Sequence, residues 1–264
     1  MLTLSGITKR FHKGSINEVL ALDGVDLDIR KGDFITVIGS NGAGKSTTLN
    51  CIAGCFMPDK GSITLNSETI TTWPEYKRAR FIGRVFQDPL MGSAASLSIE
   101  ENMALADRRG KVRGLSAGVK AKDRERYREL LSRIGLGLEN RLKDKVGLLS
   151  GGQRQSLTMI MATMVRPEIL LLDEHTAALD PKTAGHVLEL TDKLVESEKL
   201  TTLMVTHNMN HALKLGNRLI MMHQGRVILD IDGEKKSRFN VEDLLERFFT
   251  LKGEAFSSDK MLLV

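Results

Sequence analysis

The chain has 264 residues, of which 41% are hydrophobic and 27% charged, and its formal net charge is +5 at pH 7. These proportions exclude intrinsic disorder and fibrous repeats. The longest apolar runs are much shorter than the roughly 18 residues needed to cross a bilayer, and the N-terminus does not resemble a secretion signal. We therefore expect a protein that is cytosolic or is held at a membrane by a partner.

The N-terminal quarter of the chain predicts β-strands and a glycine-rich turn. Apolar residues nearly alternate through the first two strands, and Gly24 interrupts the alternation in the second. A helix is expected to begin at Lys45, because the segment from Gly39 to Gly44 ends the third strand. The strands predicted in this part are 2–7, 20–29, 34–38 and 61–65.

From residue 96 the pattern becomes mainly helical, and strands return in the last third of the chain. Segment 96–135 is rich in Ala, Leu, Arg and Glu, and Ser150 is expected to cap a further helix. Asn240 is expected to cap a C-terminal amphipathic helix that ends near Gly253 and is followed by a frayed tail. Further strands are predicted at 169–172, 202–205, 219–222 and 227–231, the last two as a hairpin around Gln224-Gly225.

The alternation of strands and helices indicates an α/β fold with a mainly parallel sheet. Segment 90–150 carries no strand pattern, and we interpret it as a helical subdomain inserted into that core. The predicted division is a domain at 1–232, which contains this insertion, and a C-terminal helix and tail at 233–264.

A phosphate-binding motif lies between the third strand and the first helix, where such loops occur. Glycines allow consecutive backbone N–H groups to point at phosphate oxygens, and the following helix adds the positive end of its dipole. In this loop Lys45 is expected to reach the β- and γ-phosphates of a nucleotide and Ser46 to bind Mg²⁺. The phosphate loop comprises Gly39, Ser40, Asn41, Gly42, Ala43, Gly44, Lys45, Ser46 and Thr47.

Two later segments can be interpreted as parts of a nucleotide site because this loop is present. Ser150-Gly151-Gly152 at a predicted helix start can form an anion-binding nest from a capping hydroxyl and backbone N–H groups, or it can be a simple cap and turn. Asp173 and Glu174 end an apolar strand. Asp173 can hold Mg²⁺ directly or through water, and Glu174 can act as general base toward an attacking water. An isolated Asp-Glu pair can also cap the next turn.

Taken in order, these motifs resemble those of the ATP-binding cassette (ABC) ATPases over roughly residues 1–230. The order is the phosphate loop, Gln87 in Val85-Phe86-Gln87-Asp88-Pro89, the signature Leu149-Ser150-Gly151-Gly152-Gln153, Asp173-Glu174, Ala178-Leu179-Asp180, and His207 in Val205-Thr206-His207-Asn208. The resemblance implies a P-loop NTPase core of the RecA type, with an N-terminal antiparallel β subdomain and an inserted α-helical subdomain. It also implies an ATPase that uses ATP and Mg²⁺.

The resemblance further implies a role for each motif. Gln87 would complete the Mg²⁺ and water shell and sense the γ-phosphate, and His207 would contact that phosphate and orient the water activated by Glu174. Within the signature, Leu149 to Gln153, the residues Ser150, Gly151 and Gly152 would bind the γ-phosphate of an ATP held by a second copy of the chain, with Asp180 at the contact between copies. One chain holds one loop and one signature, so we expect a head-to-tail homodimer around two ATP molecules.

Some positions depart from the usual pattern of the family or lack a role in it. Phe11 lies where a Tyr usually stacks on adenine; a Phe ring can stack as well, and the alternatives are a core aromatic at a strand end or stacking by His12. His175 stands where many members have Pro or Ala, and no chemical role is expected for it. Cys51 and Cys55 are expected to be packing residues rather than metal ligands.

The resemblance favours the ATP-binding subunit of a transporter that drives solute import through separate membrane permease subunits, at the cytoplasmic face of the membrane. Residues 88–93 would line the groove that receives the permease, and an extracytoplasmic substrate-binding protein would be an indirect partner. The stretches 137–141, 173–182 and 200–209 resemble a bacterial subgroup to which aromatic amino acids are attributed as substrates. A single-cassette ATPase of the iron–sulfur cluster assembly type and an exporter ATPase are the alternatives.

The excess positive charge is confined to one stretch of the predicted helical subdomain. Between Asp107 and Lys145 there are 13 Lys/Arg and 6 Asp/Glu. A basic cluster is typical of a surface that meets nucleic acid or lipid headgroups, and the alternative is a solvated helical face. Because no nucleic-acid-binding motif accompanies the cluster, we expect no nucleic-acid partner and interpret the stretch as a docking surface toward a membrane partner.

Overall fold

A computed structural model of the chain describes residues 1–111 and 118–252, which divide into two compact units. The first unit combines Met1–Glu75 with the described residues from Thr201 onward, and the second is Tyr76–Leu200. No helix among the described residues is long and apolar enough to span a membrane. The predicted C-terminal tail lies outside the described residues, and the predicted domain boundaries stay a prediction.

The elements are given in chain order. The strands are β1 (Leu2–Phe11), β2 (Val19–Ile29), β3 (Phe34–Gly39), β4 (Lys60–Leu65), β5 (Glu68–Thr69), β6 (Ile82–Val85), β7 (Ile169–Asp173), β8 (Thr202–Val205), β9 (Arg218–His223) and β10 (Arg226–Asp232). The helices are α1 (Lys45–Ala53), α2 (Glu75–Arg78), α3 (Ile99–Asp107), α4 (Ala121–Ser132), α5 (Gly151–Thr163), α6 (Pro181–Glu198), α7 (Met209–Lys214), α8 (Gly233–Arg238) and α9 (Val241–Lys252). Short 3₁₀ turns lie at Leu138–Asn140 and Val146–Leu148.

An antiparallel sheet in the first unit has the strand order β2-β1-β4-β5. The apolar residues that alternate in β1 are buried, namely Leu2, Leu4 and Ile7. The pairing of β1 with β2 shifts register between Ile7 and Lys9, where Asp23 and Gly24 of β2 face one residue of β1, and Gly24 has a φ of 67°. The interruption that Gly24 makes in the sequence pattern is therefore a β-bulge, which favours glycine. The sheet confirms the antiparallel β subdomain.

A second group of strands in the first unit surrounds β3, which lies between β8 and β9 and is parallel to both. The side chains of β3 are buried, as its apolar run predicts. β9 and β10 form an antiparallel hairpin whose turn residues, Gln224 and Gly225, have φ values of 46° and 75°. Two consecutive residues with positive φ are typical of the tight turns that join paired strands. The predicted hairpin is confirmed.

The second unit pairs β6 with β7 in parallel and carries the helices α3 to α6. The sequence pattern did not predict β6, because Gly83 and Arg84 interrupt its apolar residues. A Cβ at Gly83 would lie 2.7 Å from the carbonyl oxygen of Ala162 near the end of α5, so close helix packing favours glycine there. The described part of segment 90–150 contains helices and turns with no extended strand, as predicted.

The C-terminal helix α9 closes a hydrophobic cluster in the first unit. The Asn240 side chain accepts a hydrogen bond from the backbone N–H of Asp243 at 2.9 Å, which confirms the predicted cap. The buried face of the helix packs with Ile38 of β3 and Met221 of β9. This face consists of Leu244, Leu245, Phe248 and Phe249, each at most 5% exposed.

Phe249→Ala is expected to lower the free energy of unfolding by about 3–5 kcal/mol, because it removes a buried aromatic ring and leaves a cavity. Glu246→Ala, on the exposed face of the same helix, should change that free energy by less than about 0.5 kcal/mol. Urea unfolding followed by circular dichroism measures both. Equal unfolding midpoints for the two variants would contradict the packing of α9.

Candidate functional site

The phosphate loop connects β3 to α1 in the first unit, and its backbone conformation favours glycine at three positions. Gly39, Gly42 and Gly44 have φ values of 149°, 76° and 99°, a region that residues with a side chain rarely adopt. The helix begins at Lys45, as predicted. Along the loop, Asn41, Gly42 and Ser46 are exposed, Gly39, Ser40 and Thr47 half-buried, and Ala43, Gly44 and Lys45 buried.

The loop packs tightly against the backbones of two strands. A Cβ at Gly39 would lie 2.2 Å from the carbonyl oxygen of Met222 in β9, and a Cβ at Gly44 would lie 2.7 Å from the carbonyl oxygen of Ala21 in β2. A Cβ at Gly42, by contrast, would meet no atom of the described residues within 4 Å. The two ends of the loop are therefore fixed by close contacts, whereas its middle faces open space.

Lys45 holds its ammonium group against this loop. The residue is 7% exposed, and its Nζ donates to the carbonyl oxygens of Gly39 at 2.7 Å and Ser40 at 3.0 Å. A cation at this position, beside the N-terminus of α1 and the exposed backbone at Asn41, suits the oxygens of a nucleotide polyphosphate. The exposed hydroxyl-bearing Ser46 follows it directly. The loop therefore fits the phosphates that its sequence predicts.

Phe11 ends β1 and is half-buried. Its ring meets the ring of Phe56 edge to face, with 5.1 Å between centroids, and the Nζ of Lys9 lies 5.5 Å from its ring centroid. His12 follows in an exposed turn with a φ of 52°. The contact with Phe56 leaves Phe11 partly accessible, so stacking on adenine and a packing role both stay predictions.

Asp173 and Glu174 follow the buried strand β7 in the second unit, and both are half-buried. The Oδ2 of Asp173 lies 3.6 Å from the Nη2 of Arg84, a residue that sequence reasoning did not identify. Glu174 has a φ of 45°, a conformation that costs a residue with a side chain roughly 1–2 kcal/mol. Such strain is concentrated at functional positions. The backbone conformation of Glu174 is therefore a sign of function that its sequence alone does not give.

Gln87 lies two residues after β6 in the same unit and is exposed. The ring of Phe86, the residue before it, lies 4.5 Å from the guanidinium carbon of Arg84. The carbonyl oxygen of Phe86 accepts a hydrogen bond of 2.9 Å from the side-chain amide of Gln155, which is buried in α5. Arg84 and Gln155 therefore both hold the chain immediately before Gln87.

His207 belongs to the first unit, follows β8 by two residues and is exposed. Together with Gly39 and Ser40 of the phosphate loop it lines a small cavity, to which Met209 and Phe248 also contribute. The structure thus brings His207 and the phosphate loop together within one unit. A contact of His207 with a phosphate bound by that loop requires this proximity.

The signature segment leads into α5, and Ser150 is the N-cap, as predicted. The Oγ of Ser150 accepts from the backbone N–H of Gln153 at 3.3 Å, and the Oε1 of Gln153 accepts from the backbone N–H of Ser150 at 3.1 Å. This capping box fixes the start of the helix. A Cβ at Gly152 would lie 2.0 Å from Cγ2 of Thr183 in α6, so glycine allows the two helices to approach. Leu149 and Gly152 are buried, and Ser150 and Gly151 are exposed.

Asp180 is the exposed N-cap of α6. Its carboxylate accepts from the backbone N–H of Thr183 at 3.1 Å, and hydrogen bonds from the side chain and backbone of Thr183 lower its pKa. Because the methyl group of Thr183 also lies against Gly152, the structure places Asp180 near the signature within one unit.

Three further residues named by the sequence analysis are packed in the interior or partly so. His175 is 2% exposed, and its Nε2 lies 3.0 Å from the Oγ1 of Thr191 in α6. The absence of a chemical role for His175 stays a prediction. Cys51 is buried and Cys55 half-buried, and both are free thiols.

Part of the basic stretch is neutralised within the second unit. Arg124 forms an ion pair of 2.7 Å with Glu100 of α3, and Arg126 one of 2.7 Å with Asp107. Arg113 of this stretch lies outside the described residues. The exposed basic residues of the described part include Lys120, Lys122, Arg128, Lys143 and Lys145. The surface charge of this stretch therefore comes mainly from residues on and after α4.

Comparisons with known proteins agree with these motifs. The model of the ABC transporter family matches residues 22–177. A tyrosine transport ATP-binding protein of Clostridioides difficile (strain R20291) is 47% identical over 248 residues, which cover 94% of this chain and 98% of that protein. An aliphatic sulfonates import ATP-binding protein of Mesorhizobium japonicum is 34% identical, covering 86% of this chain and 77% of that protein. A solved dimeric ATP-binding cassette in a post-hydrolysis state, bound to ADP and Pi, is 32% identical, covering 88% of this chain and 98% of that one, with a TM-score of 0.75.

Gly39→Ala is expected to lower the free energy of unfolding more than Gly42→Ala. A positive φ costs either alanine roughly 1–2 kcal/mol, but only the Cβ at residue 39 collides with the carbonyl oxygen of Met222. Urea unfolding of the two variants in the absence of nucleotide measures the difference. If Gly39→Ala were as stable as Gly42→Ala, the close packing of the loop on β9 would be wrong.

Proposed function

The chain belongs to the ATP-binding cassette transporter family and is an ATPase of that family, and from this premise we propose that it powers solute import through separate membrane permease subunits. One observation carries the proposal: the complete series of motif residues is present in a chain that is 47% identical to a tyrosine transport ATP-binding protein over nearly its whole length. The aliphatic sulfonates relative is likewise named as an import protein.

In this proposal the phosphate loop binds the triphosphate of ATP. Backbone N–H groups of the loop and the N-terminus of α1 would bind the phosphate oxygens, and Lys45 would balance their charge. The position of its Nζ, over the carbonyl oxygens at the start of the loop, supports this role. Phe11 is proposed to stack on adenine through its accessible ring face.

Glu174 is proposed to take the proton of the attacking water, with His207 and Gln87 orienting that water and the γ-phosphate. The strained backbone of Glu174 supports this role, because residues in such strained conformations cluster at active sites. Ser46, Asp173 and Gln87 would hold Mg²⁺ through hydroxyl, carboxylate and amide oxygens, the ligand types that this ion prefers. When bound, Mg²⁺ neutralises charge on the phosphate oxygens.

Two copies of the chain are proposed to pair head to tail, each signature binding the γ-phosphate of the ATP held by the other copy. The exposed Ser150 and Gly151 at the start of α5 support this, because helix N-termini bind anions. The related cassette solved with ADP and Pi is a dimer. Asp180, close to the signature, would lie at the contact. An ATP molecule that bridges two copies of the chain favours their closed arrangement. Hydrolysis of that ATP would therefore allow the two copies to separate.

The permease subunits are proposed to dock on residues 88–93 of the second unit. Leu90 and Met91 in this segment are 49% and 69% exposed, and exposed apolar side chains are a feature of interaction surfaces. The exposed basic residues on and after α4 would face the anionic surface at the cytoplasmic face of the membrane. The indirect partner is an extracytoplasmic substrate-binding protein, and the transported solute is proposed to be an aromatic amino acid.

Glu174→Gln is expected to abolish hydrolysis and to trap a dimer when ATP is present, because the amide cannot take the proton of the water while ATP still joins the two copies. Sizing chromatography with and without ATP measures the shift in mass. A monomer in the presence of saturating ATP would contradict the head-to-tail pairing. Lys45→Ala in the same background should stay monomeric, because it loses affinity for ATP.

A second variant locates the surface that closes the dimer. Adding Ser150→Asp to Glu174→Gln keeps a good N-cap for α5 but places a negative charge where the γ-phosphate would bind. This double variant should bind ATP as a monomer with affinity within about twofold of the single variant, as titration calorimetry would show. A dimer of the double variant would place the contact elsewhere.

Met91→Glu is expected to reduce co-purification with the membrane permease subunits at least tenfold, because it puts a charge on an exposed apolar segment. ATP affinity should be unchanged within about twofold. Tyr76→Glu, another exposed large side chain of the second unit at 82%, is the matched control and should retain the partners. Mass spectrometry of the wild-type complex separates the alternatives: an iron–sulfur assembly ATPase would bring no permease, and an exporter would act without a binding protein.

A further inference from the structure

We propose that Gln155 is a positioning residue that holds the turns carrying Gln87 and Glu174 in their working arrangement. The inference rests on the proposed roles of those two residues in hydrolysis. Gln155 lies within α5, two residues after the end of the signature, and is completely buried. Sequence reasoning gave it no role.

The side-chain amide of Gln155 bridges the two turns. Its Nε2 donates to the carbonyl oxygen of Phe86 at 2.9 Å and to the carbonyl oxygen of His175 at 2.7 Å. Phe86 immediately precedes Gln87, and His175 immediately follows Glu174. One amide group, using both of its N–H bonds, therefore holds the main chain next to each of the two residues.

The strand register makes this bridge effective. β6 and β7 are parallel, and Val85 pairs with Leu172 at their carboxyl ends, so the two chains leave the pair side by side. Beyond this point no ladder hydrogen bond between β6 and β7 is available to keep the chains in register. Gln155 supplies two hydrogen bonds immediately past the end of the ladder, where the strands themselves no longer do so.

A role in packing alone does not explain the choice of glutamine. The Oε1 of Gln155 is buried and has no hydrogen-bond partner among residues 1–111 and 118–252. A buried polar atom without a partner costs stability, and an apolar side chain of similar shape would avoid that cost. The side-chain amide of Gln155 is needed here because its nitrogen donates two hydrogen bonds. The reversed amide would place its oxygen against the same two carbonyl oxygens, so these partners determine the orientation of the amide.

The far side of the bridge is anchored as well. The Nε2 of His175 lies 3.0 Å from the Oγ1 of Thr191, and that hydroxyl donates to the carbonyl oxygen of Val187 within α6. Since the hydroxyl proton is used in this way, the Nε2 of His175 is the donor in the first hydrogen bond. The residue after Glu174 is therefore held by α5 through its carbonyl group and by α6 through its ring.

The test is the steady-state ATPase activity of Gln155→Met in the full-length chain. Methionine has nearly the same length as glutamine but has no N–H donor. If Gln155 positions the two turns, kcat falls at least tenfold while the KM for ATP stays within about twofold, because the phosphate loop is untouched. Thr158→Val is the matched control: Thr158 is 3% exposed on the same helix, and its hydroxyl donates to the carbonyl oxygen of Gln155 within α5. Its kcat should stay within about twofold of wild type.

A double-variant cycle separates positioning from simple loss of stability. Because Gln155 acts partly through Gln87, Gln155→Met should lower kcat clearly less in a Gln87→Ala background than in the wild type. Equal fold-losses in both backgrounds, or a wild-type kcat for a folded Gln155→Met, would overturn the proposal. Gln155→Asn, whose amide is too short to reach both carbonyls, carries the same test if the methionine variant does not fold. Absence of ATPase activity in the wild type would instead contradict the proposed function itself.

Discussion

The close approach of the phosphate loop to two neighbouring backbones is the constraint on which the rest of the first unit depends. The loop must turn sharply after a buried strand and lead directly into α1. It does so because Gly39 and Gly44 lie too near carbonyl oxygens of β9 and β2 for any side chain. The carbonyl oxygen of Ala43 also accepts a hydrogen bond of 3.0 Å from the N–H of Gly225, in the β9–β10 hairpin. The loop is therefore shaped by elements that are distant in sequence.

The second unit fixes its functional side chains by a different means, namely helix caps and short polar bridges. Ser150 and Asp180 are both N-caps, so each stands at the positive end of a helix with its position set by backbone hydrogen bonds. Thr183 links the two, since it donates to Asp180 and packs on Gly152. A single packed contact between α5 and α6 thus sets the distance between the signature and the residue proposed to meet a second copy.

Sequence patterns predicted the features that local physics determines, and missed those that depend on tertiary neighbours. The phosphate loop, the Ser150 cap and the β9–β10 hairpin each have a composition that only one local conformation suits, and the structure has them where predicted. Strand β6 was missed because Gly83 is chosen for contact with α5 and not for strand propensity. Arg84 and Gln155 were missed for the same reason: their partners lie in other elements, and no spacing rule connects them.

Arg84 and Gln155 together show why the turns after β6 and β7 can carry strain. Arg84 contacts the carboxylate of Asp173 and the ring of Phe86, and Gln155 contacts the carbonyl oxygens of Phe86 and His175. These contacts join the same two turns through different atoms, in addition to the ladder that ends at Val85 and Leu172. A residue with positive φ such as Glu174 persists only where its surroundings determine its conformation more than once. The ion pair, the buried amide and the parallel strand pair meet that condition. The strain at Glu174 and the Gln155 oxygen, which has no partner in the described part of the chain, both lower stability, and both accompany this arrangement of the two turns.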